Sequence, residues 1–256
     1  MTKWEEYSED IAELKHRAKI AGISLLCATL FFLVAPASLD QNFLGFYKPF
    51  VSLILDAIRT YLLPSSVQLI PGTASAPITI YTVASLFFGF LVASPVIFYE
   101  VYRFVEPAFK DLPSKLIWIS LTFFVSGCAF GFFIMMPAMI YGLFAFFPYV
   151  GVTQNLIVAM DFYQMVFVVT LISGLSFLTP IVVYLLVRYG NFDPKRLTKN
   201  RWYTWAMVYV ISAVITPDSN ILADFVLFIP LILMIEGSLF VASRSKKNQS
   251  NQRNPE

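Results

Sequence analysis

The chain has 256 residues, of which 58% are hydrophobic, 17% aromatic and only 13% charged, with a formal net charge of +2. Soluble domains carry about 25% charged residues, so this composition excludes an ordinary soluble protein and indicates an integral membrane protein. The small positive charge is spread along the chain, which argues against a nucleic-acid-binding surface.

The first segment, TKWEEYSEDIAELKHRAK, is predicted to form an amphipathic helix on the cytoplasmic side. Its acidic residues precede its basic ones, which suits the helix dipole, and Glu13 and Arg17 have the spacing of an i,i+4 ion pair. A solvated helix that leads into the membrane and a docking helix are both compatible with this pattern. Because acids stand where a cleavable signal would be basic, the first span is expected to act as the targeting element.

Apolar runs of about 20 residues can cross the hydrocarbon core of a bilayer, and they predict an all-α membrane protein. Prolines inside several spans are expected to bend the helices into a concave bundle. We predict one six-span domain over 1–244 and a polar, disordered cytoplasmic tail over 245–256. The four clear runs are 20–39, 78–101, 116–136 and 162–187, the two weaker ones are 202–215 and 221–242, and the bending prolines are Pro95, Pro137, Pro180 and Pro230.

The basic residues predict the orientation. Sixteen of the 18 Lys and Arg residues fall on one side of this arrangement, and only Lys48 and Arg59 fall on the other. The positive-inside rule therefore places both termini in the cytoplasm, which requires an even number of spans.

The segment 40–77 is expected outside the cytoplasm, with a helix over 49–63 between Pro49 and Pro64. A polar stripe on this helix predicts that it lies across the tops of the spans as a cap. The rest of the segment, SSVQLIPGTASAP, is predicted to be an irregular loop. In the fourth span, Asp161 is a candidate N-terminal cap, and Ser173, Gly174 and Ser176 are expected to permit close helix contact.

The stretch 94–115, SPVIFYEVYRFVEPAFKDLPSK, joins the second and third spans by a short polar turn. Its charged residues are interleaved with aromatic ones, which suits docking of a cationic peptide. The alternative is an ordinary interfacial loop with an aromatic belt. The charged residues ahead of Lys115 are Glu100, Arg103, Glu106, Lys110 and Asp111.

No motif of an enzyme is evident: the sequence has no P-loop, no HExxH and no nucleophile elbow. Cys27 and Cys128 lie in apolar runs, where a thiol behaves as a small apolar group, and we predict neither a disulfide nor a metal or other cofactor. Glu236 is the deepest ionisable residue of the sixth span, and a functional role and a position at the interface are equally compatible with it.

Six motifs in order resemble the TatC family, the six-span core receptor of the twin-arginine protein translocase. DIAELKHR is similar to the family's HLxELRxR, and SPVIFYEVYRFVEPAF is similar to APVIxYQxWxFxxPxL. The other four motifs are the KPF turn, the third span, the fourth span, and the ITPD loop together with the sixth span. Matching residues include Glu13, Leu14, Arg17, Pro49, Pro95, Tyr99, Phe104, Pro107, Pro137, Pro180, Pro217 and Glu236.

Three further residues depart from the family pattern, in addition to Asp10 and Lys15, which replace a His and an Arg of HLxELRxR. Pro113 stands where the family has a Glu in the first cytoplasmic loop, and Leu178 stands where it has a Glu in the fourth span. Phe132 replaces a Tyr that is common in the third span.

The resemblance implies a receptor for twin-arginine signal peptides that works with TatA-type single-span partners in a translocase driven by the proton-motive force. A TatB-type single-span protein and further copies of the chain itself are the other candidate partners. The residues expected to bind the signal peptide are Glu13, Arg17, Phe104, Glu106 and Asp111. Those expected to support the fold or contact a partner are Pro49, Pro107, Leu178, Pro217 and Glu236. Carboxylates suit this ligand because they hold guanidinium groups in bidentate pairs.

A small secondary transporter with a substrate site at the midplane is the alternative function, although the spans contain few polar residues. The expected location is the cytoplasmic membrane of a cell, and an organelle membrane is also compatible with the sequence.

Overall fold

The structure is a computed structural model that describes residues 3–36, 49–64, 67–108, 112–146, 156–188, 201–203, 205–206, 209–210, 228–237 and 239–240. Asp111, Pro217, the tail 245–256 and most of the run 202–215 therefore lie outside the described residues. The chain divides into two compact units, Met1–Leu121 with Gln154–Phe167 and Thr122–Thr153 with Val168–Glu256.

Helix α1, Lys3–Val34, opens the first unit. It joins the predicted amphipathic segment and the first span in one helix without a break, because no proline interrupts the sequence between them. It packs closely on helix α3, Ala76–Val105. A Cβ added to Gly89 of α3 would lie 2.8 Å from the backbone nitrogen of Thr29, so the contact requires glycine.

Helix α3 contains Pro95 in its interior. A proline at this position removes the N–H that would bond the carbonyl of Leu91 four residues earlier. The hydroxyl of Ser94 donates a 2.7 Å hydrogen bond to that same carbonyl. A side chain thus replaces the missing backbone donor, which is how membrane helices tolerate an interior proline.

Helix α2, Phe50–Leu62, occupies most of the predicted range 49–63. Its first residue is held beside the end of α1, since the amide of Phe50 donates to the carbonyl of Ala35 at 2.8 Å. One face is buried and the opposite face is exposed, as an amphipathic helix requires. That this helix caps the spans outside the cytoplasm stays a prediction. The buried face consists of Val51, Leu55, Ile58 and Leu62.

A two-stranded parallel sheet corrects the prediction of an all-α chain with an irregular loop after α2. Strand β1, Gln68–Ile70, pairs with strand β2, Leu156–Val158, with Leu69 opposite Ile157. Each strand has only three residues, and its partner lies far along the chain. No local period in the sequence could have indicated this pairing.

The third predicted span, 116–136, is longer than expected. Helix α4, Lys115–Phe130, passes through a π-helical turn, Gly131–Met135, into helix α5, Met136–Phe146. Pro137 was expected at the end of this span, but the helix continues beyond it. Pro137 lies two residues after the wide turn and inside a continuous helix, and both features are common where a helix bends.

The fourth predicted span, 162–187, consists of two helices rather than one bent helix. Helix α6, Ala159–Ser176, ends at a turn formed by Phe177 and Leu178, and helix α7 runs over Thr179–Arg188. Pro180 is the second residue of α7, which explains the break, since proline begins helices more readily than it continues them.

Small residues allow close packing in the second unit, as predicted for Ser173 and Gly174. A Cβ on Gly131 would lie 2.7 Å from the Cβ of Ser173, and a Cβ on Gly174 would collide with the sulfur of Cys128. The α4 and α6 segments of this unit are therefore held at a distance that larger side chains would not permit.

Four helical stretches among the described residues are long and apolar enough to cross a membrane: Ile11–Val34, Ala76–Val105, Lys115–Ala145 and Ala159–Leu185. They correspond to the four clear apolar runs of the sequence. A further apolar helix, α8, covers Phe228–Gly237 within the predicted sixth run. The full count of six spans stays a prediction.

Candidate functional site

The candidate site is built where the first turns of α1 meet the last turns of α3. Glu13 and Arg17 are one helical turn apart on α1, and the Nε atom of Arg17 donates to Oε1 of Glu13 at 2.9 Å, with Nη2 bonded to the same oxygen. The Nη1 atom of Arg17 lies 3.4 Å from Oε2 of Glu100 on α3. Arg17 is therefore placed between two carboxylates.

The three side chains of this acidic triad, Glu13, Arg17 and Glu100, differ in their access to solvent. The side chains of Arg17 and Glu100 are 19% and 11% exposed, whereas that of Glu13 is 42% exposed. The triad carries two negative charges and one positive charge, so it has a net charge of −1. Glu13 is the member of the triad that an incoming cation can reach.

A second charged pair lies at the end of α3, in the polar turn that follows it. Arg103 donates to Glu106 at 3.0 Å across a spacing of three residues, and both side chains are substantially exposed. Glu106 begins a short 3-10 turn, Glu106–Ala108. The ring of Phe104, between the two, is 40% exposed, so an apolar surface lies beside these charges.

The polar turn is fixed to α3 by a buried hydrogen bond. The hydroxyl of Tyr102 donates to the carbonyl of Leu112 at 2.8 Å, and both residues are buried. Pro113, the residue that replaces the family's usual Glu, is exposed, and its carbonyl accepts from the amide of Leu116 at 2.9 Å. This anchors one side of the turn at the start of α4.

The predicted peptide-binding residues are only partly brought together. Glu13 and Arg17 form one group, and Glu106 pairs instead with Arg103 in the part of the chain that the structure describes. Asp111 lies outside the described residues. Glu100 was predicted only as a charge in the loop, and the structure adds it to the site. An acid one turn ahead of Phe104 was the signal in the sequence that could have indicated it.

The residues predicted to support the fold or contact a partner have varied surroundings. Pro49 forms an isolated β-bridge with Pro36 at the entry to α2, and Pro107 is exposed in the 3-10 turn. Leu178 is half-buried at the break between α6 and α7, where its carbonyl accepts from Ile181 at 3.0 Å. Pro217 lies outside the described residues.

Glu236, on α8, has two partners in the second unit. The indole Nε1 of Trp205 donates to its Oε1 at 3.2 Å, and Nη2 of Arg201 lies 3.7 Å from its Oε2. Beside them is an apolar groove of about 370 Å³ that is lined by Trp202, Trp205, Ala206, Tyr209 and Phe228. Glu236 is thus a paired carboxylate at the margin of an aromatic surface.

An open cavity of about 270 Å³ lies beside α2 in the first unit, and Ser52, Asp56, Arg59, Tyr81 and Tyr163 supply the polar part of a mostly apolar lining. The hydroxyl of Tyr163 donates to the carbonyl of Leu55 at 3.2 Å and ties α6 to α2. No group of three His, Cys, Asp or Glu side chains suited to a metal ion occurs among the described residues.

The comparisons with known proteins agree with this arrangement of helices. Residues 9–230 match the family model described as Sec-independent protein translocase protein (TatC). The chain is 31% identical to the TatC protein of Aquifex aeolicus over 94% of this chain and 97% of that relative. It is 25% identical to the TatCy protein of Bacillus subtilis over 91% of this chain and 87% of that relative.

Two solved structures are also similar to the chain. The crystal structure of a twin-arginine translocase receptor, TatC, superposes with a TM-score of 0.73 at 26% identity, over 93% of this chain and 99% of that one. A crystal structure of TatC in the detergent DDM gives the same TM-score at 28% identity, over 91% of this chain and 99% of that one.

Proposed function

Because the chain belongs to the TatC family of Sec-independent protein translocase proteins, we propose that it is the receptor for twin-arginine signal peptides in a translocase that moves folded proteins across a membrane. The energy source of the assembled translocase is the proton-motive force, as the family resemblance implies. The observation that supports the receptor role best is the acidic triad of Glu13, Arg17 and Glu100.

The triad suits a ligand with two adjacent guanidinium groups. The carboxylate of Glu13 uses Oε1 for Arg17, and its Oε2 has no hydrogen bond within the described part of the chain. A guanidinium of the peptide can donate to that second oxygen while Arg17 keeps the first. The net charge of −1 then attracts the peptide, and Arg17 holds the carboxylate in place.

The turn after α3 supplies the remainder of the proposed binding surface. The side chain of Glu106 is 40% exposed, and its one ion pair among the described residues is an exposed i,i+3 pair, which contributes little and exchanges readily for a new cation. Phe104 offers an aromatic face on which a guanidinium can stack. Asp111, close in sequence to Pro113, is proposed to replace the Glu that the family carries there.

The proposed orientation places this surface in the cytoplasm, together with both termini. It rests on the asymmetry of Lys and Arg residues along the chain. The ion pair of Arg17 with Glu100 supports it, since the start of α1 and the end of α3 then belong to the same side of the membrane.

Partner binding is proposed for the second unit. The aromatic groove beside Glu236 has the apolar lining that a single membrane helix of the TatA or TatB type would need, and Glu236 offers one polar contact at its margin. Leu178 is proposed to pack against an apolar part of such a helix.

The test of the receptor role is capture of a synthetic twin-arginine peptide by the purified protein, compared with its twin-lysine version. Arg holds a carboxylate by two donors and Lys by one, so we expect clear preference for the twin-arginine peptide. Glu13→Gln should weaken capture about tenfold, the lower end of the effect of losing a charge-assisted hydrogen bond. Glu106→Gln and Asp111→Ala should each weaken it less.

Asp56→Asn is the matched control, because Asp56 is an exposed acid on α2 outside the proposed surface. Its capture of the peptide should equal that of the unaltered protein. Equal capture of both peptides, or an unchanged affinity in all three site variants, would contradict the receptor proposal for these residues. Unchanged affinity in Asp111→Ala alone would leave the site to Glu13 and Glu106.

A further inference from the structure

A groove of about 500 Å³ lies between the last part of α3 and the first part of α4, in the first unit. It is separate from the acidic triad and is not used by the proposed receptor role. Its principal lining residues are Pro95, Tyr99, Ser114, Lys115, Trp118 and Leu121.

The groove has a polar end and an apolar end. Lys115, Ser114 and the hydroxyl-bearing Tyr99 supply polar groups where α4 begins, whereas Pro95, Trp118 and Leu121 supply apolar surface further along. From Lys115 to Leu121 the helix rises about 9 Å, at 1.5 Å per residue. The phosphate of a phospholipid is separated from the upper part of its acyl chains by a similar distance.

The groove also lies at a membrane boundary. Lys115 is the first residue of the candidate span Lys115–Ala145, so the polar end of the groove falls at its edge and the apolar end inside it. Trp118 is 72% exposed, and Val92 on α3 and Ile119 on α4 are exposed as well. Such a surface is suited to lipid, and an interfacial tryptophan is typical of the headgroup level.

The charge of the groove favours a lipid with an anionic headgroup. The ammonium of Lys115 has no salt bridge within the described part of the chain, and no carboxylate is among the described residues that line the groove. An anionic headgroup would neutralise Lys115. A twin-arginine peptide would bring two further positive charges beside it and would be repelled.

We propose that this groove is a binding site for an anionic phospholipid, with the phosphate held by Lys115 and Ser114 and the start of one acyl chain lying along Trp118 and Leu121. The lipid is proposed to belong to the cytoplasmic leaflet, which rests on the proposed orientation with both termini in the cytoplasm. A lipid bound there would lie beside the polar turn and support the start of α4.

The experiment is native mass spectrometry of the purified protein titrated with phosphatidylglycerol or phosphatidylcholine, with no signal peptide present. We expect phosphatidylglycerol to bind about fivefold more tightly, the factor that one basic residue near an anionic surface supplies. Lys115→Gln should remove this preference. Lys19→Gln removes an exposed charge of α1 outside the groove and should retain it.

Leu121→Trp fills the apolar end and should weaken binding of both lipids. A phosphatidylglycerol with a photoreactive acyl chain should crosslink to the segment around Trp118. Equal loss in Lys115→Gln and Lys19→Gln would overturn the proposal in favour of unspecific surface attraction. In a second titration, displacement of bound phosphatidylglycerol by added twin-arginine peptide would overturn the proposal in favour of the peptide. These lipid measurements contain no test of Glu13, so a negative result for peptide capture in Glu13→Gln would leave the lipid proposal unaffected.

Discussion

The guanidinium of Arg17 on α1 lies 3.4 Å from the carboxylate of Glu100 on α3, although the two residues are far apart in the chain. Both side chains are largely shielded from solvent, and Glu13 binds the other edge of the same guanidinium. The contact therefore joins two membrane helices through a single cation.

The stability of this contact should depend more on Arg17 than on Glu100. Glu100→Gln leaves Arg17 paired with Glu13 and should destabilise the protein by about 1 kcal/mol. Arg17→Ala leaves two carboxylates without a cation and should lower the unfolding temperature more than Glu100→Gln does. Thermal unfolding of the purified variants measures both effects, and a larger loss in Glu100→Gln would contradict the prediction. Arg103→Ala, which breaks an exposed pair, is the control and should change stability by less than about 1 kcal/mol.

The hydroxyl of Ser94 should contribute to stability mainly because Pro95 follows it and lacks a backbone N–H. Ser94→Ala removes the donor to the Leu91 carbonyl and should cost about 1 kcal/mol. In a Pro95→Ala background the backbone amide of residue 95 can serve that carbonyl, so the same change at Ser94 should cost clearly less. A double-mutant cycle of unfolding free energies checks this, and equal costs in the two backgrounds would refute the coupling.

The close approach of α1 and α3 should make Gly89 intolerant of a methyl group. Gly89→Ala places a Cβ 2.8 Å from the backbone nitrogen of Thr29, and the helices must separate, at a cost of about 1–3 kcal/mol. Gly22→Ala on α1 is the matched control, since nothing lies within 4 Å of its Cβ. It should be neutral or more stable by about 0.5–1 kcal/mol, because alanine favours the helix. Equal effects of the two substitutions on thermal stability would disprove the close packing.

The orientation can be tested by labelling single cysteines in a variant that lacks Cys27 and Cys128. Thr73→Cys, in the exposed segment before α3, should react with a membrane-impermeant maleimide in intact cells. His16→Cys, on the exposed side of α1, should react only after permeabilisation. The reverse pattern would show that the protein has the opposite topology.

Leu178 should face an apolar part of a partner helix. Leu178→Glu introduces a carboxylate at the break between α6 and α7 and should reduce co-purification of a TatA-type partner, because a charge in the membrane is costly without a partner. Val182→Glu on α7 controls for the general cost of a charge and should reduce co-purification less. If Leu178→Glu strengthens the association, the partner presents a polar group there.

The sequence predicts the long elements well because their length and apolarity are properties of neighbouring residues. The runs that contain Leu91, Phe124 and Val169 each suffice to identify a span without knowledge of its neighbours. The break at Leu178 was not predicted: Pro180 was expected to bend a continuous fourth span, whereas it stands at the start of a second helix.

Contacts between distant segments could not be predicted in the same way. The pairing of Leu69 with Ile157 and that of Arg17 with Glu100 depend on how the chain is arranged in space, and neither pair has a local pattern. The family pattern directed attention to Phe104 and Glu106. It did not indicate that Arg103 would hold Glu106 within the same turn.

The π-helical turn at Gly131–Met135 changes the direction in which every later side chain of the helix points, relative to a regular α-helix. Twelve residues of regular α-helix, at about 100° each, would turn Met136 roughly 120° away from Phe124. One surplus residue in the wide turn takes up about 100° of this difference, so Met136 and Phe124, both fully buried, return to one side. The turn thus behaves like an inserted residue that the helix accommodates. Deleting one residue from it should leave a regular α-helix that buries the same residues on either side of the deletion. In the unaltered protein, a residue-by-residue scan of accessibility should show the helical pattern of buried positions shift by one residue at Gly131.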